Sequence, residues 1–120
     1  MSAILKDVLN ESSQLDRAFQ ALSDPVRRGM LARLSHGPAS VSELAGPFRI
    51  SLPGVLQHLK ALEQSGLVRS EKTGRVRTVQ LVPKALSAAG SWIIERRAEW
   101  DARADRLEDY LQTMKKNGEK

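Results

Sequence analysis

N-cap residues and Gly or Pro stops divide the first part of this chain into short helical segments. The clearest start is Asp24-Pro25, a capping residue followed by a proline at the first helical position. Another helix begins at Ser51 and is expected to end near Ser65, with Gly66 just beyond its C-cap. Helices this short bury their apolar faces only by packing against one another. The predicted helix starts are Ser13, Asp24, Ser40 and Ser51.

Two β-rich runs follow these helices and predict a hairpin. They occupy LVRSEKTGRVRTVQLV, residues 67–82, around a turn signal at Thr73-Gly74. Pro83 then begins a long helical pattern that reaches roughly to Thr113. Helix, short turn, helix and hairpin is the order of a winged helix-turn-helix. The predicted fold class is therefore mainly α with a small β-hairpin.

Composition excludes several classes of protein. The 120 residues include no cysteine, which removes disulfides, thiolate nucleophiles and Cys-ligated metals. The acidic residues are scattered, and GxSxG and phosphate-binding loop motifs are missing, so we expect neither an enzyme nor a cofactor. No apolar run approaches the ~20 residues that cross a bilayer. MSAILKDVLNESSQL at the start lacks signal-peptide features, which indicates a cytoplasmic protein without a membrane partner.

Positive charge is concentrated in the middle of the chain. Residues 25–83 hold nine Lys or Arg against three Glu, a net charge of +6, whereas the whole chain carries +5. A polyanion-binding surface produces this pattern. A solvated basic face without a partner would produce it too, so both interpretations stay open on charge alone.

The helix that begins at Ser51 has two unlike sides. At 100° per residue, the side expected to be buried carries Val55, Leu59 and Leu62. The opposite side carries Pro53, Gln57, Lys60 and Gln64, with the small Gly54 at its edge. A helix that enters the ~12 Å major groove of DNA needs a slim polar face of this kind, read mainly near its N-terminus. The free amides and the helix dipole at Ser51 would also favour a nearby phosphate.

Several phrases, taken in order, resemble the ArsR-type bacterial transcriptional regulators. They are SDPVRRGMLARL, ASVSELA, ISLPGVLQHLKALEQSGLV and GRVRTVQLVP. SWIIERRAEWDARADRLEDYL resembles the last helix of one branch that does not sense metals, so the resemblance covers roughly residues 15–112. It implies a homodimeric winged helix that represses transcription by binding double-stranded DNA at an operator, with dimer contacts from the first and last helices.

The resemblance also implies a set of DNA contacts. They fall on Ser51, Pro53, Leu56 and Gln57, on Lys60 one turn later, and on Arg75 and Arg77 in the hairpin. Pro53 and Leu56 stand where many family members have serine, and neither side chain hydrogen-bonds a base. Leu56 either touches a thymine methyl or belongs to the core, and Gln57 either pairs with adenine or is simply solvated.

Each of the further candidates for DNA contact also has an alternative role that does not involve DNA. His58 is either a hydrogen-bonded structural histidine or a phosphate ligand. Strand alternation predicts Arg75 and Arg77 on one face beside Lys72, where they contact phosphate or the minor groove, or else keep an exposed strand from pairing with another chain. Three residues near helix starts either clamp phosphates or do not: Arg27, Arg28 and Ser40.

Metal sensing, common in the family that the chain resembles, is not expected here. The thiolate site of that family would fall on residues 41–44, which read VSEL, and the site on the last helix needs histidine, which residues 84–120 lack. His36 and His58 are too few for a site of three or four protein ligands. A carboxylate site shared between two subunits stays open.

The long last helix carries an apolar stripe that suits pairing with a twofold mate. Its candidate interface residues are Leu86, Ile93, Trp100, Leu107 and Leu111, joined by Leu5 and Val8 near the N-terminus. Trp92 and Trp100 are interpreted as core or interface anchors, not as a ligand pocket. We expect one domain over residues 1–120: a DNA-binding core at 13–82, dimerisation helices at 1–22 and 84–113, and a flexible tail at 114–120. The alternative function is a protein-interaction module that uses the long helix without an operator. The sequence specifies neither an operator nor a small-molecule effector.

Overall fold

The computed structural model describes residues 2–118, with the side chains at 2, 3, 7, 8 and 11 left out. Five helices and three strands lie in this range. They are α1 Ser2–Leu22, α2 Pro25–Leu34, β1 Ala39–Ser40, α3 Val41–Ala45, α4 Leu52–Gln64, β2 Val68–Thr73, β3 Val76–Leu81 and α5 Pro83–Gly118. The mainly helical class with a small sheet is confirmed, and the order helix, turn, helix, hairpin is that of a winged helix-turn-helix.

The predicted caps are formed by the side chains that the sequence indicates. Asp24 accepts a hydrogen bond of 3.0 Å from the backbone N–H of Arg27, with Pro25 in the first turn of α2. Ser40 and Glu43 form a reciprocal capping box at α3. The backbone of Gly66, at φ 77°, follows the C-cap of α4 in the left-handed region that glycine tolerates best. Local chemistry therefore positions the ends of these helices.

Both terminal helices are longer than expected. α1 begins at Ser2 and not at Ser13, because no Gly or Pro interrupts the residues before Ser13. α5 continues to Gly118, so residues 114–118 are helical and do not form the flexible tail predicted there. Two lysines in the last turn of α5 stabilise that end by facing the negative pole of the helix dipole. Residues 119–120 of the predicted tail lie outside the described residues.

The hairpin, here called the wing (residues 68–81), differs from its prediction at the turn. Thr73 pairs with Val76, which leaves Gly74 and Arg75 as the two turn residues. Arg75 is therefore outside the strands, so strand alternation does not determine its direction, although Lys72, Arg75 and Arg77 do line one groove. The sheet also contains β1, a strand that the sequence does not reveal, paired antiparallel with β3.

One apolar cluster holds the helices and the sheet together. Met30 of α2, Leu62 of α4 and Val79 of β3 are each 0% exposed and lie at its centre. Residue contacts divide the chain into two compact units, residues 1–89, which contain this cluster, and residues 90–120. Within residues 2–118, no helix is both long enough and apolar enough to span a bilayer.

Candidate nucleic-acid interface

α4 presents the two faces that its sequence predicts. Val55, Leu59 and Leu62 are buried in the core. Pro53 and Gln57 are exposed, and so are Ser51, Lys60 and Gln64, while Gly54 is half-buried. The side chain of Ser51 accepts from the backbone N–H of Gly54 at 3.4 Å and so caps the helix. The front end of α4 therefore lies at the surface with a slim polar face.

Leu56 belongs to the surface and not to the core. Its side chain is 40% exposed and lies outside the apolar cluster, so the core interpretation of this residue is wrong. Leu52, one turn earlier on the same side of α4, is 56% exposed. Spacing of four residues places the two side chains next to each other. α4 therefore carries a small apolar edge beside its polar face.

A groove separates this apolar edge from the wing. It encloses about 610 Å³, and the wing groove is defined by its lining residues, Ser40, Val41, Ser42, Leu52, Leu56, Ser70, Lys72, Arg75, Val76 and Arg77. The charged side chains among these described residues are three cations. Lys72 and Arg77 lie directly opposite each other in the strand register, where like charges repel, and the nearby carboxylate of Glu63 offsets one of the two charges. The groove is thus suited to a polyanion with apolar groups.

Arg77 is also connected to the far end of α4. Its Nε donates to Ser70 Oγ at 2.9 Å, and Ser70 Oγ donates to Glu63 Oε1 at 2.5 Å. Arg77 Nη2 lies 3.3 Å from the same carboxylate oxygen. The network ties the wing to the last turn of α4 and gives Arg77 a fixed direction.

His58 lies in a polar cluster between α4 and the start of α2. Its Nδ1 is 3.4 Å from Arg27 Nη1 and 3.8 Å from Asp24 Oδ2, and its side chain is largely buried. The hydrogen bond from the backbone N–H of Arg27 holds the pKa of Asp24 below its ordinary value, and the charges of His58 and Arg27 act in the same direction. These contacts favour the structural interpretation of His58 over phosphate contact.

Both arginines at the start of α2 bind carbonyl groups at the end of α1. Arg27 Nε donates to the carbonyl of Ala21 at 2.8 Å, and its Nη2 donates to that of Gln20 at 3.1 Å. Arg28 Nη1 donates to the carbonyl of Leu22 at 2.8 Å. The last carbonyls of a helix lack partners within the helix, so these contacts cap α1. Among the remaining candidates, Ser40 is engaged as the N-cap of α3 and also lines the wing groove.

Comparison with known proteins agrees with this geometry. Residues 22–71 match the family model described as a helix-turn-helix domain. The HTH-type transcriptional regulator Rv2034 of Mycobacterium tuberculosis is 48% identical over 73 residues, which cover 61% of this chain and 68% of the relative. The crystal structure of the ArsR family transcriptional regulator RHA00566 is 47% identical, with a TM-score of 0.71 over 75% of this chain and 93% of that one. The chain belongs to the ArsR family of transcriptional regulators.

This ArsR-family chain is therefore a DNA-binding transcriptional regulator with a winged helix-turn-helix, and its family is not a class of enzymes. The Transcriptional repressor SdpR of Bacillus subtilis is 29% identical over 80 residues, which cover 67% of this chain and 89% of that protein. Among the described residues, no three His, Cys, Asp or Glu side chains lie together in a group able to hold a metal ion.

The predicted dimer residues of this ArsR-family chain lie at the surface wherever they are described. On α5 the side chains of Leu86, Ile93, Trp100, Leu107 and Leu111 are exposed. Leu5 on α1 is exposed as well, and the side chain of Val8 lies outside the described residues. The guanidinium of Arg96 stacks 5.3 Å from the ring centre of Trp92.

Five residues that line the wing groove are missing from the sequence-based set, namely Val41, Ser42, Leu52, Ser70 and Val76, and so is the neighbouring Glu63. Leu52 could have been found from its spacing to Leu56, because an apolar pair four residues apart outside the buried stripe signals a second surface. Val76 and Glu63 carry no such signal. Only the fold places Val76 in the groove and brings Glu63 to Ser70 and Arg77.

Proposed function

We propose that this regulator is a homodimeric repressor that binds a pseudo-palindromic operator through α4 and the wing. The observation that carries the proposal is the wing groove, where an exposed helix face stands opposite three cations. DNA offers both the phosphates that pair with such cations and the base edges that a helix reads.

The N-terminal half of α4 would enter the major groove. Gln57 is exposed on the outward face, and its amide pairs with adenine in a bidentate manner when the two meet in plane. Lys60 lies one turn later on the same face and would reach a phosphate. The amides at the capped start of α4 favour a second phosphate. Base reading and positioning would thus come from different residues of one helix.

The wing would supply charge and not base sequence. Arg75 sits in the two-residue turn, and Lys72 flanks that turn on β2. Both side chains are exposed, which suits contacts with phosphates or with the minor groove. Arg77 is held by Glu63 and Ser70 and would contact DNA from a fixed position.

The exposed stripe of α5 supports a dimer. Ile93, Arg97, Trp100, Ala104, Leu107, Leu111 and Met114 alternate in spacing between four and three residues, the repeat of a coiled coil. Each of these side chains is exposed in a single chain, and a twofold mate would cover them. Such a dimer would present two copies of α4 to major grooves one helical turn, about 34–36 Å, apart. Repression would follow from occupation of a promoter.

A protein-interaction module is the second candidate, and the exposed aromatic residues Trp92, Trp100 and Tyr110 of α5 favour it. Selection of bound duplexes from a random DNA library separates the two. The operator proposal expects an enriched inverted repeat, with affinity that drops ~10³–10⁵-fold between 50 and 200 mM salt if six to ten phosphates are contacted. Enrichment of no sequence, from a protein that is still dimeric, would contradict it.

Charge reversal in the wing provides a second test. Lys72→Glu combined with Arg75→Glu should abolish DNA binding but leave the dimer intact, because both side chains are exposed and lie outside the core. Arg77 is left unchanged, since a glutamate there would face Glu63 and disturb the fold. Reversal at Lys84 and Arg103, two exposed cations of α5, is the matched control and should keep operator affinity. Full binding by the wing variant would exclude the wing from the interface.

A further inference from the structure

The wing groove contains an apolar surface that the charges of an operator contact do not explain. Leu52 and Leu56 line it from α4, and Val76, which is 54% exposed, lines it from β3. All three lie outside the core cluster, so they do not stabilise the fold by burial there. Large exposed apolar side chains that gather at one groove mark a surface for contact with an apolar group.

The cations of the groove restrict what that apolar group belongs to. Lys72, Arg75 and Arg77 line the same groove as the leucine pair, so a ligand that fills the groove is an anion with an apolar part. In the major groove of DNA, the C5-methyl of thymine is the apolar group that distinguishes one base from the others. Adenine and guanine present only donors and acceptors at the same edge, and cytosine carries a hydrogen atom at the C5 position instead of a methyl group.

The position of Leu56 on α4 matches such a contact. It lies next to Gln57 in the sequence and one turn before Lys60, on the wing side of the polar face. Its side chain neither donates nor accepts a hydrogen bond, so the group on a base edge with which it can make a favourable apolar contact is a methyl group. The 40% of its surface that remains exposed is available for that purpose.

On the proposed function as a basis, we infer that Leu56, with Leu52 beside it, selects thymine in each operator half-site by packing against the C5-methyl group. Leu56 is thus a specificity-determining residue, and Lys72 and Arg75 hold the adjacent phosphates. The operator then contains at least one thymine per half-site whose methyl group contributes to affinity.

Replacement of single thymines by deoxyuridine tests the inference, because deoxyuridine lacks only the methyl group. On the duplex selected from the library, each replacement is measured by fluorescence anisotropy at fixed salt. At one or two thymines per half-site, we expect Kd to rise about three- to five-fold, which corresponds to the free energy of burying one methyl-sized group. Replacement at other thymines should leave Kd unchanged.

A double-mutant cycle, which combines a substitution at Leu56 with the replacement of thymine by deoxyuridine, then tests whether Leu56 makes the methyl contact. Leu56→Ala should weaken binding to the thymine duplex and bring the ratio of the two Kd values, with and without the methyl, to about one. Lys60→Ala is the control: it should weaken binding to both duplexes equally and keep the ratio of the parent protein.

Each outcome decides the matter. Equal affinity of the parent protein for thymine and deoxyuridine at every position would overturn the inference but leave operator binding in place. A ratio unchanged in Leu56→Ala would also overturn it, since another residue would then contact the methyl. Failure of the dimer to bind any duplex would reject the proposed function itself together with the inference.

Discussion

Arg77 Nη2 of the wing lies 3.3 Å from Glu63 Oε1 in the last turn of α4. The pair joins the two elements that would contact DNA, and Ser70 bridges the same carboxylate at 2.5 Å. Because both ends are partly exposed, the ion pair itself adds little to stability. Its consequence is geometric and electrostatic, since it places a carboxylate next to the wing groove.

Removal of that carboxylate should strengthen DNA binding. In Glu63→Gln the side-chain oxygen still accepts from Ser70, but the negative charge that competes with phosphate for Arg77 is lost. We expect Kd to fall several-fold and the slope of log K against log salt to steepen by about one. Anisotropy titrations between 50 and 200 mM salt measure both. Glu71→Gln makes the same charge change one residue from Ser70, on the other face of β2, and should have a smaller effect. Weaker binding of Glu63→Gln would mean that the charge of Glu63 is needed to position the wing.

A charge in the stripe of α5 should dissociate the dimer. Leu107→Glu would leave an unpaired carboxylate in the proposed interface, at a cost of about 3 kcal/mol or more, which raises the dimer Kd at least ~100-fold. Light scattering during size-exclusion chromatography measures the change. Ala102→Glu, on the opposite side of the helix, should remain dimeric. If both variants stay dimeric, the interface lies elsewhere.

Two glycine substitutions should change stability in opposite directions. A Cβ at Gly29 would lie 2.8 and 2.9 Å from ring atoms of Phe48, which packs against the core. Gly29→Ala is therefore expected to lower the free energy of unfolding by about 1–3 kcal/mol, because the steric cost exceeds the gain in helix propensity. At Gly90 nothing lies within 4 Å, so Gly90→Ala should stabilise by ~0.5–1 kcal/mol.

Urea denaturation at one fixed protein concentration compares the two glycine variants with the parent, because dimer stability depends on concentration. A stable Gly29→Ala variant would show that the Phe48 ring moves aside at little cost. A Gly90→Ala variant that loses dimerisation would show that a partner helix approaches closely at this position.

Loss of the Asp24 charge should have a pH-dependent effect on stability. The pKa of Asp24 is lowered in the folded protein, first by the backbone N–H of Arg27. The ionised form therefore stabilises the fold above the ordinary pKa of about 3.9, and this contribution is lost as pH falls through the lower folded value. Asp24→Asn keeps a capping oxygen but not the charge. We expect it to be less stable than the parent at pH 7 and equally stable once Asp24 is protonated.

Urea unfolding from pH 7 down to about pH 2.5 follows that convergence. Asp16→Asn makes the same charge change on the exposed surface of α1 and serves as the control. A stability difference between Asp24→Asn and the parent that stays constant over the whole range would contradict the role of the charge.

Local signals predicted most helix boundaries correctly but failed where tertiary contacts decide. Asp24 and Ser51 cap their helices as their sequence contexts indicate, because capping depends on neighbours two or three residues away. β1 has only two residues, too few to show a period, and exists because β3 offers it a partner. The turn lies at Gly74-Arg75, one residue later than the predicted Thr73-Gly74, because the register of the hairpin depends on pairing along both whole strands.

The chain's own sequence determined its family, its fold class, the buried side of α4 and the excess of positive charge between residues 25 and 83. The fold class, the buried side of α4 and the charge excess follow from period, caps and composition, which are local properties, whereas the family follows from the similarity of the sequence to known regulators. The roles of Arg27 and Glu63 and the surface position of Leu56 were decided only by the tertiary structure. Partners such as Ala21 for Arg27 and Ser70 for Glu63 lie on other elements of the chain, and only the packing of those elements brings them within hydrogen-bond distance.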